Sequence, residues 1–418
     1  MRISGNIYLK GDKSITHRAI MLASICNGES IVNNVPQSED ILSTINALSI
    51  CGIKTKNKNG NLTIIGNTFK HPSVDIDCGN SGTSIRLMAG LLSSKKIRCR
   101  LVGDKSLSSR PMDRIVNPMR KLGFDILSTQ GCAPIQLQSF KIQKDKEIHI
   151  SIPSAQVKSA LIFSSLIGGN KIKISEKYKT RDHLERLINS INNRVLKISN
   201  NEITINHTPE QAWKGFEINL PGDISSASYF IAAATLLPGS ELVINNVLLN
   251  NRRLGFIKSL IKMGANILIS DEVYRHNERI GKLTIIGVKK LVPINVPSED
   301  IPSMVDEVPI LSLVCSYASG TSIISGLDEL RYKESDRLEG ILNILTSMGV
   351  DIKISGSDIA INGKNKLYNT TKLNNYDDHR LAMMISIAQL IARDRIEYPD
   401  CINISFPDFK ELLNKVII

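Results

Sequence analysis

The stretch Tyr229-Phe230-Ile231-Ala232-Ala233-Ala234-Thr235-Leu236-Leu237 has no polar face at helical spacing. A helix apolar on every side is a buried helix. Its small residues let neighbours approach closely. Five other segments share this character: Ala19–Ser24 (AIMLAS), Leu87–Ser94 (LMAGLLSS), Ala160–Ile167 (ALIFSSLI), Pro309–Ala318 (PILSLVCSYA) and Ala382–Ala392 (AMMISIAQLIA). The helices begin near Ser14, Ser81, Ser154, Ile224, Val305 and Asp378. The spacing is roughly 70 residues, longer than the usual solenoid period.

The surroundings of each apolar helix repeat as well. Short β-branched runs follow, as in GESIVNNV (28–35), GSELVINNV (239–247) and GTSIISGL (320–327), and predict strands. Amphipathic helices come next and end in glycine: ILSTINALSICG (41–52), MDRIVNPMRKLG (112–123), LGFIKSLIKMG (254–264) and LEGILNILTSMG (338–349). A terminal glycine suits a left-handed helix cap. The third and sixth copies, with LERLINSINN (184–193) and FKELLNKV (409–416), fit this pattern less well. The expected fold class is α/β (α+β): two domains, each of three β-α-β-α-β-β units, with buried helices surrounded by sheets. A break at Leu220-Pro221-Gly222-Asp223 separates the third copy from the fourth.

Composition narrows the function. The chain has 418 residues, 42% hydrophobic and 22% charged, which is a globular balance. Met1–Asp12 lacks the apolar run of a signal peptide, and no apolar stretch approaches the roughly 20 residues of a membrane span. A cytoplasmic, soluble protein is expected. The seven cysteines form no CxxC pair and the histidines no HExxH, so neither a disulfide framework nor a metal site is expected. The net charge is +12. Nucleic-acid binding, steering of anionic small substrates and plain lysine-rich bias would each explain it. With no basic run interleaved with aromatics, the last two outweigh the first.

Several apolar helices open on residues that could hold an anion. These openings are Gly11-Asp12-Lys13-Ser14-Ile15-Thr16-His17-Arg18, Gly79-Asn80-Ser81-Gly82-Thr83-Ser84-Ile85-Arg86, Pro153-Ser154-Ala155-Gln156-Val157-Lys158 and Gly222-Asp223-Ile224-Ser225-Ser226. Free N–H groups at a helix start favour phosphate. Ordinary N-capping explains the Ser, Asn and Asp equally well. Lys13 with Arg18, and Gly82 beside Thr83, lean towards a ligand. Arg110, in the polar turn 103–111, could grip a carboxylate or phosphate with two nitrogens, or be a surface arginine.

Charge concentrates in the fifth copy. Asp306 and Glu307 precede an apolar helix, where acids suit the helix dipole without any further role. Five of the seven residues from Arg331 to Arg337 are charged. A solvated face is one explanation. Alternatively, Lys333, Glu334 and Arg337 share a helical face and hold a carboxylate ready for proton transfer. Asp377-Asp378-His379-Arg380 opens the sixth apolar helix and admits the same two readings.

Taken together, the strings GDKSITHRA, GNSGTSIR, SLSSRPMDR, SAQVKSAL, TRDHLER, PGDISSASYFIAAA, SMVDEVPILSL, ELRYKESDRL, DDHRLAM and SFPDF resemble the 5-enolpyruvylshikimate-3-phosphate synthases, in that family's order and over nearly the whole chain. The resemblance implies the inside-out α/β barrel of the enolpyruvyl transferase fold. It implies domains at 14–221 and at 1–13 plus 222–418, with the active site in the cleft between them. It also implies transfer of the enolpyruvyl group of phosphoenolpyruvate to the 5-hydroxyl of shikimate 3-phosphate by addition–elimination, without metal or cofactor, in a cytoplasmic monomer with no nucleic-acid or membrane partner.

By the same resemblance, Lys13, Ser14, Arg18, Ser154, Ala155, Gln156, Arg181, Asp306 and Lys333 bind shikimate 3-phosphate. Lys13, Gly82, Arg110, Gln156, Glu334, Arg337 and Arg380, with His379 adjacent, bind phosphoenolpyruvate. Asp306, Glu334 and Lys13 are the catalytic groups. Gly82 implies sensitivity to glyphosate. One departure stands out: Ile404-Ser405-Phe406-Pro407 carries no lysine before Phe-Pro, where many members have one that contacts the donor. A relative with a sugar-nucleotide acceptor and a non-catalytic anion-binding protein are the alternatives. Asp306, Lys333 and Glu334 together argue against the second.

Overall fold

The computed structural model describes residues 1–140, 146–167, 172–206, 212–366, 368–370 and 373–418. By its internal contacts the chain divides into two compact units. The first comprises Gly11–Leu220 with His276–Glu278, and the second comprises Met1–Lys10, Pro221–Arg275 and Arg279–Ile418.

In the first unit three four-stranded sheets follow one plan. An outer strand pairs in parallel with a second strand, which pairs antiparallel with a hairpin. The sheets are Glu217–Asn219, Glu29–Asn33, Asn61–Ile65, Lys54–Lys58; then Ile76–Asp77, Cys99–Val102, Cys132–Phe140, Phe124–Thr129; then Lys146–Ile150, Ile172–Glu176, Glu202–Ile205, Leu196–Ser199. Two sheets of the second unit repeat the plan: Ser4–Tyr8, Glu241–Leu248, Glu278–Ile286, Asn266–Arg275, and Asn295–Val296, Gly320–Ile324, Asp358–Gly363, Asp351–Ser355. None of these five sheets closes on itself. Strand burial alternates, as in Asp358–Gly363, so each sheet turns one face to the core.

Two leading strands are exchanged relative to chain order. Ser4–Tyr8 precedes the first apolar helix but pairs with Glu241–Leu248 of the fourth copy, Ser4 opposite Glu241. Glu217–Asn219 precedes the fourth helix but pairs with Glu29–Asn33 of the first copy. The connecting segments are tight. A β-carbon on Gly11 would stand 2.6 Å from that of Leu220.

The six apolar helices are Lys13–Ile25, Gly82–Ser94, Ala155–Ser165, Ile224–Leu236, Val308–Tyr317 and His379–Ala392. Nearly every residue in them is buried. In the second unit Ile224–Leu236, Val308–Tyr317 and His379–Ala392 pack against one another. The glycines ending the four amphipathic helices all take positive φ: 88° at Gly52, 96° at Gly123, 93° at Gly264 and 84° at Gly349. The sixth copy differs. It continues as a 3-10 turn, Asp400–Ile404, and a helix, Phe409–Val416, with only an isolated bridge from Ile417 to Ile3. Pro399 and Pro407 interrupt this segment, and proline cannot donate to a strand ladder. Among the described residues no helix is long and apolar enough to cross a membrane.

Helices Gly82–Ser94 and Ala155–Ser165 pack closely. A β-carbon on Gly90 would collide with the carbonyl oxygen of Ala160. Gly90→Ala is therefore expected to lower unfolding stability by about 1–3 kcal/mol through overpacking, read as a lower urea midpoint at unchanged slope.

Candidate functional site

In the first unit most of the candidate side chains stand at helix starts. Asp12 accepts a hydrogen bond from the Ile15 N–H at 2.9 Å and caps Lys13–Ile25. This cap places Lys13, Ser14 and Arg18 on the first turns. Lys13 Nζ donates to Asp40 at 2.5 Å. Arg18 is buried and donates to the Ser14 carbonyl at 2.8 Å, to Ser159 Oγ at 3.1 Å and to the Ala155 carbonyl at 3.3 Å. Arg181 comes from the loop before helix His183–Ile191 and donates to Ser14 Oγ at 3.3 Å. Ser154 caps Ala155–Ser165 by accepting from Val157 N–H. Ser14, Arg18, Ala155 and Arg181 thus form one connected group.

A second group surrounds the start of Gly82–Ser94, which Ser81 caps through the Ser84 N–H at 3.1 Å. Gln156 accepts from Arg86 at 2.7 Å and donates to Thr83 at 2.9 Å. Arg110 follows the 3-10 turn Leu107–Ser109 and donates to Asn80 at 2.5 Å and to Ser106 at 3.1 Å. A β-carbon on Gly82 would stand 2.9 Å from Arg86 Nη1 and 3.3 Å from Arg110 Nη1. Glycine therefore leaves room for two guanidinium groups beside a helix N-terminus, an arrangement suited to a phosphate or carboxylate. His17 is buried beneath this surface. Burial, then the charges of Lys13 and Arg18, push its pKa well below the ordinary value, so the ring is neutral at pH 7.

The second unit carries a cluster of charged side chains around Arg337. Arg337 opens helix Arg337–Ser347 and is almost wholly buried. It donates to both oxygens of Asp378, at 2.8 and 3.1 Å. It also meets Glu334 at 2.5 Å and Asp306 at 3.7 Å. Lys333 reaches Asp306 at 3.5 Å. Asp378 does double duty, capping His379–Ala392 through the Arg380 N–H at 2.8 Å. Burial works against charge on Arg337, but Asp378, Glu334 and Asp306 outweigh it and hold its pKa above the usual value. Buried Arg380 is held up likewise, burial being outweighed by Tyr229, Asp306, Glu307 and Asp223. Buried His379 is the first residue of its helix.

The expected helical face of Lys333, Glu334 and Arg337 does not exist. The helix begins at Arg337, with Asp336 as its cap, and Lys333 follows a separate 3-10 turn, Asp328–Tyr332. Glu334 still meets Arg337 three residues further on, whereas Lys333 and Arg337 meet Asp306 through the tertiary fold. Sequence reading quoted Arg86 and Asp378 within motifs but gave neither a role of its own, and it did not name Asp40 or the buried Arg253, which donates to Ser225 at 2.8 Å. Arg86 and Asp378 sit inside the motifs already singled out, at helix starts, and that position was the available signal. Asp40, in the first turn of helix Glu39–Ile50, and Arg253 lie outside those motifs. Among the described residues no group of three His, Cys, Asp or Glu could hold a metal ion.

Removing Arg337 strands Asp378, whose side chain is wholly buried. Arg337→Met is expected to cost about 3–5 kcal/mol of stability, the usual penalty for breaking a buried ion pair, measured by urea denaturation.

The family model described as EPSP synthase (3-phosphoshikimate 1-carboxyvinyltransferase) matches residues 1–413. The 3-phosphoshikimate 1-carboxyvinyltransferase of Persephonella marina is 37% identical over 423 residues, covering 100% of this chain and 98% of that protein. Its counterpart in Oenococcus oeni is 39% identical over 416 residues, covering 97% and 94%. Among solved structures, the EPSP synthase of Acinetobacter baumannii superposes with a TM-score of 0.85 at 33% identity, over 99% of this chain and 96% of that one. The enolpyruvyl transferase NikO from Streptomyces tendae shares the fold, with a TM-score of 0.77 at 15% identity, over 99% and 95%. A match of this extent, over both units and all the motifs, places the chain in the EPSP synthase family.

Proposed function

We propose that this protein transfers the enolpyruvyl group of phosphoenolpyruvate to the 5-hydroxyl of shikimate 3-phosphate, releasing phosphate, as a step of the shikimate pathway. Besides the family, one observation carries the reading: the carboxylates of Asp306 and Glu334 converge on a single buried guanidinium, Arg337. Binding an anion does not call for a carboxylate pair, whereas moving two protons does.

In this reading Ser14, Arg18, Ser154, Ala155, Gln156 and Arg181 hold shikimate 3-phosphate, and Asp306 and Lys333 hold its ring hydroxyls. Gly82, Arg110, Gln156, Arg337, His379 and Arg380 receive phosphoenolpyruvate, with Lys13 shared by both substrates. The link from Arg86 to Gln156 adds Arg86 to the donor group. Asp306 takes the proton of the 5-hydroxyl as its oxygen bonds to C2, and Glu334 gives a proton to C3. Glu334, now a carboxylate, then takes a proton back from C3 as the C2–O bond to phosphate breaks. Lys13 and the arginines stabilise the anionic charge that develops. The reading includes a cytoplasmic site of action and a monomer.

The test is phosphate release from phosphoenolpyruvate, with shikimate 3-phosphate and UDP-N-acetylglucosamine offered separately. Release with shikimate 3-phosphate alone is expected. Release only with the sugar nucleotide would replace the acceptor, and release with neither would end the enzymatic reading. Asp306→Ala is expected to lower kcat by about 10²–10⁴-fold, the range for a lost general base, with much smaller changes in substrate binding; near-normal turnover would remove Asp306 from its role. Glyphosate is expected to compete with phosphoenolpyruvate. Gly82→Ala should weaken that inhibition, because the methyl group crowds Arg86 and Arg110.

A further inference from the structure

Lys158 lies within helix Ala155–Ser165 and is fully buried. Its ammonium group ends on two carboxylates, 2.9 Å from Glu176 and 2.8 Å from Glu185. Both carboxylates are nearly fully buried as well. Burial raises the pKa of Glu185, with Lys158 pulling it the other way. A buried ionic cluster of this kind is weak ground for stability, since apolar side chains of equal volume often serve as well or better. Its distinctive effect is to fix geometry.

The geometry fixed here is that of residues 177–182. Glu176 ends strand Ile172–Glu176, and Glu185 lies on helix His183–Ile191, so Lys158 ties both flanks of this connection to one helix. The Thr180 hydroxyl donates to Glu176, and Lys158 Nζ lies 3.5 Å from the Thr180 carbonyl. On the other side Asp182 pairs with Arg186 at 2.9 Å. Arg181 stands between these two anchored neighbours, and its guanidinium extends to Ser14 Oγ at 3.3 Å. The helix that carries Lys158 also carries Ala155, whose carbonyl holds Arg18. One buried ammonium therefore sets the register between Arg181 and the start of its own helix.

We infer that Lys158, through Glu176, Glu185 and Thr180, is a positioning residue that holds Arg181 for the phosphate of shikimate 3-phosphate. The inference rests on the function proposed above and on the role given there to Arg181. It predicts an effect confined to one substrate.

Lys158→Met alone would strand two buried carboxylates and is expected to unfold the protein. The neutral triple variant Lys158→Met/Glu176→Gln/Glu185→Gln keeps the volumes and removes the charges. Its KM for shikimate 3-phosphate is expected to rise by about tenfold or more while its KM for phosphoenolpyruvate stays within about twofold, the pattern of a lost binding contact to one substrate. Arg181→Ala is measured in the native protein and in the triple variant. It should raise the KM for shikimate 3-phosphate in the first and add less than about twofold in the second, because residues acting through one contact are not additive. Full additivity, or an unchanged KM in the folded triple variant, overturns the inference. Should the triple variant fail to fold, Thr180→Val removes only the bond to Glu176; a rise of about threefold for shikimate 3-phosphate alone supports the inference and no rise overturns it. If Arg181→Ala has no effect in an active native protein, the role of Arg181 is what fails, and the positioning role falls with it. If the native protein shows no activity with shikimate 3-phosphate, the proposed function itself fails.

Discussion

A helix buried along most of its length must still satisfy its first turn. Its first N–H groups have no partner within the helix, and leaving them bare in an apolar interior is costly. This constraint organises both units. Asp12, Ser81, Ser154, Asp223 and Asp378 each accept hydrogen bonds from the first turn of a buried helix. The remaining buried helix, Val308–Tyr317, has a proline in its first turn, which removes one donor instead. The apolar helices thus require polar ends, and most of the candidate site residues stand at those ends.

Arginines stand at the same places, held by carbonyl, amide and carboxylate oxygens of the helix starts and their caps. In the first unit the starts of Lys13–Ile25, Gly82–Ser94 and Ala155–Ser165 share Arg18, Arg86 and Gln156 among them. In the second unit the cap Asp378 also holds Arg337, which in turn meets Glu334 and Asp306. A charge buried without a partner would be far more costly than these pairs, so the carboxylates and guanidiniums are interdependent. Preorganised charge of this sort also stabilises anionic transition states without reorganisation during the reaction.

The fold was legible to the extent that it follows local rules. The all-apolar helices, the β-branched runs after them and the glycines at the ends of four amphipathic helices came from periodicity and residue type. Positive φ at Gly52, Gly123, Gly264 and Gly349 bears out the last of these. The exchange of leading strands between the first and fourth copies was not derivable from pattern, because Ser4–Tyr8 and Glu217–Asn219 look like any other short strand. The absence of a described sheet in the sixth copy follows from prolines in a segment that had already fitted the repeat poorly.

The chain's sequence by itself determined which residues are helix, which are strand and which helix starts carry charge. These properties depend on side-chain size, periodicity and capping within a few residues. Only the tertiary structure decided which charges meet. One reading placed Lys333, Glu334 and Arg337 on a single helical face; Glu334 does meet Arg337, but Arg337 is also gathered with Asp306 and Asp378 from distant parts of the chain. Asp40 on Lys13, Arg86 on Gln156 and Lys158 between Glu176 and Glu185 arise in the same way. Charge pairing acts over a few ångströms in space, and no local pattern along the chain encodes which distant residues will be brought that close.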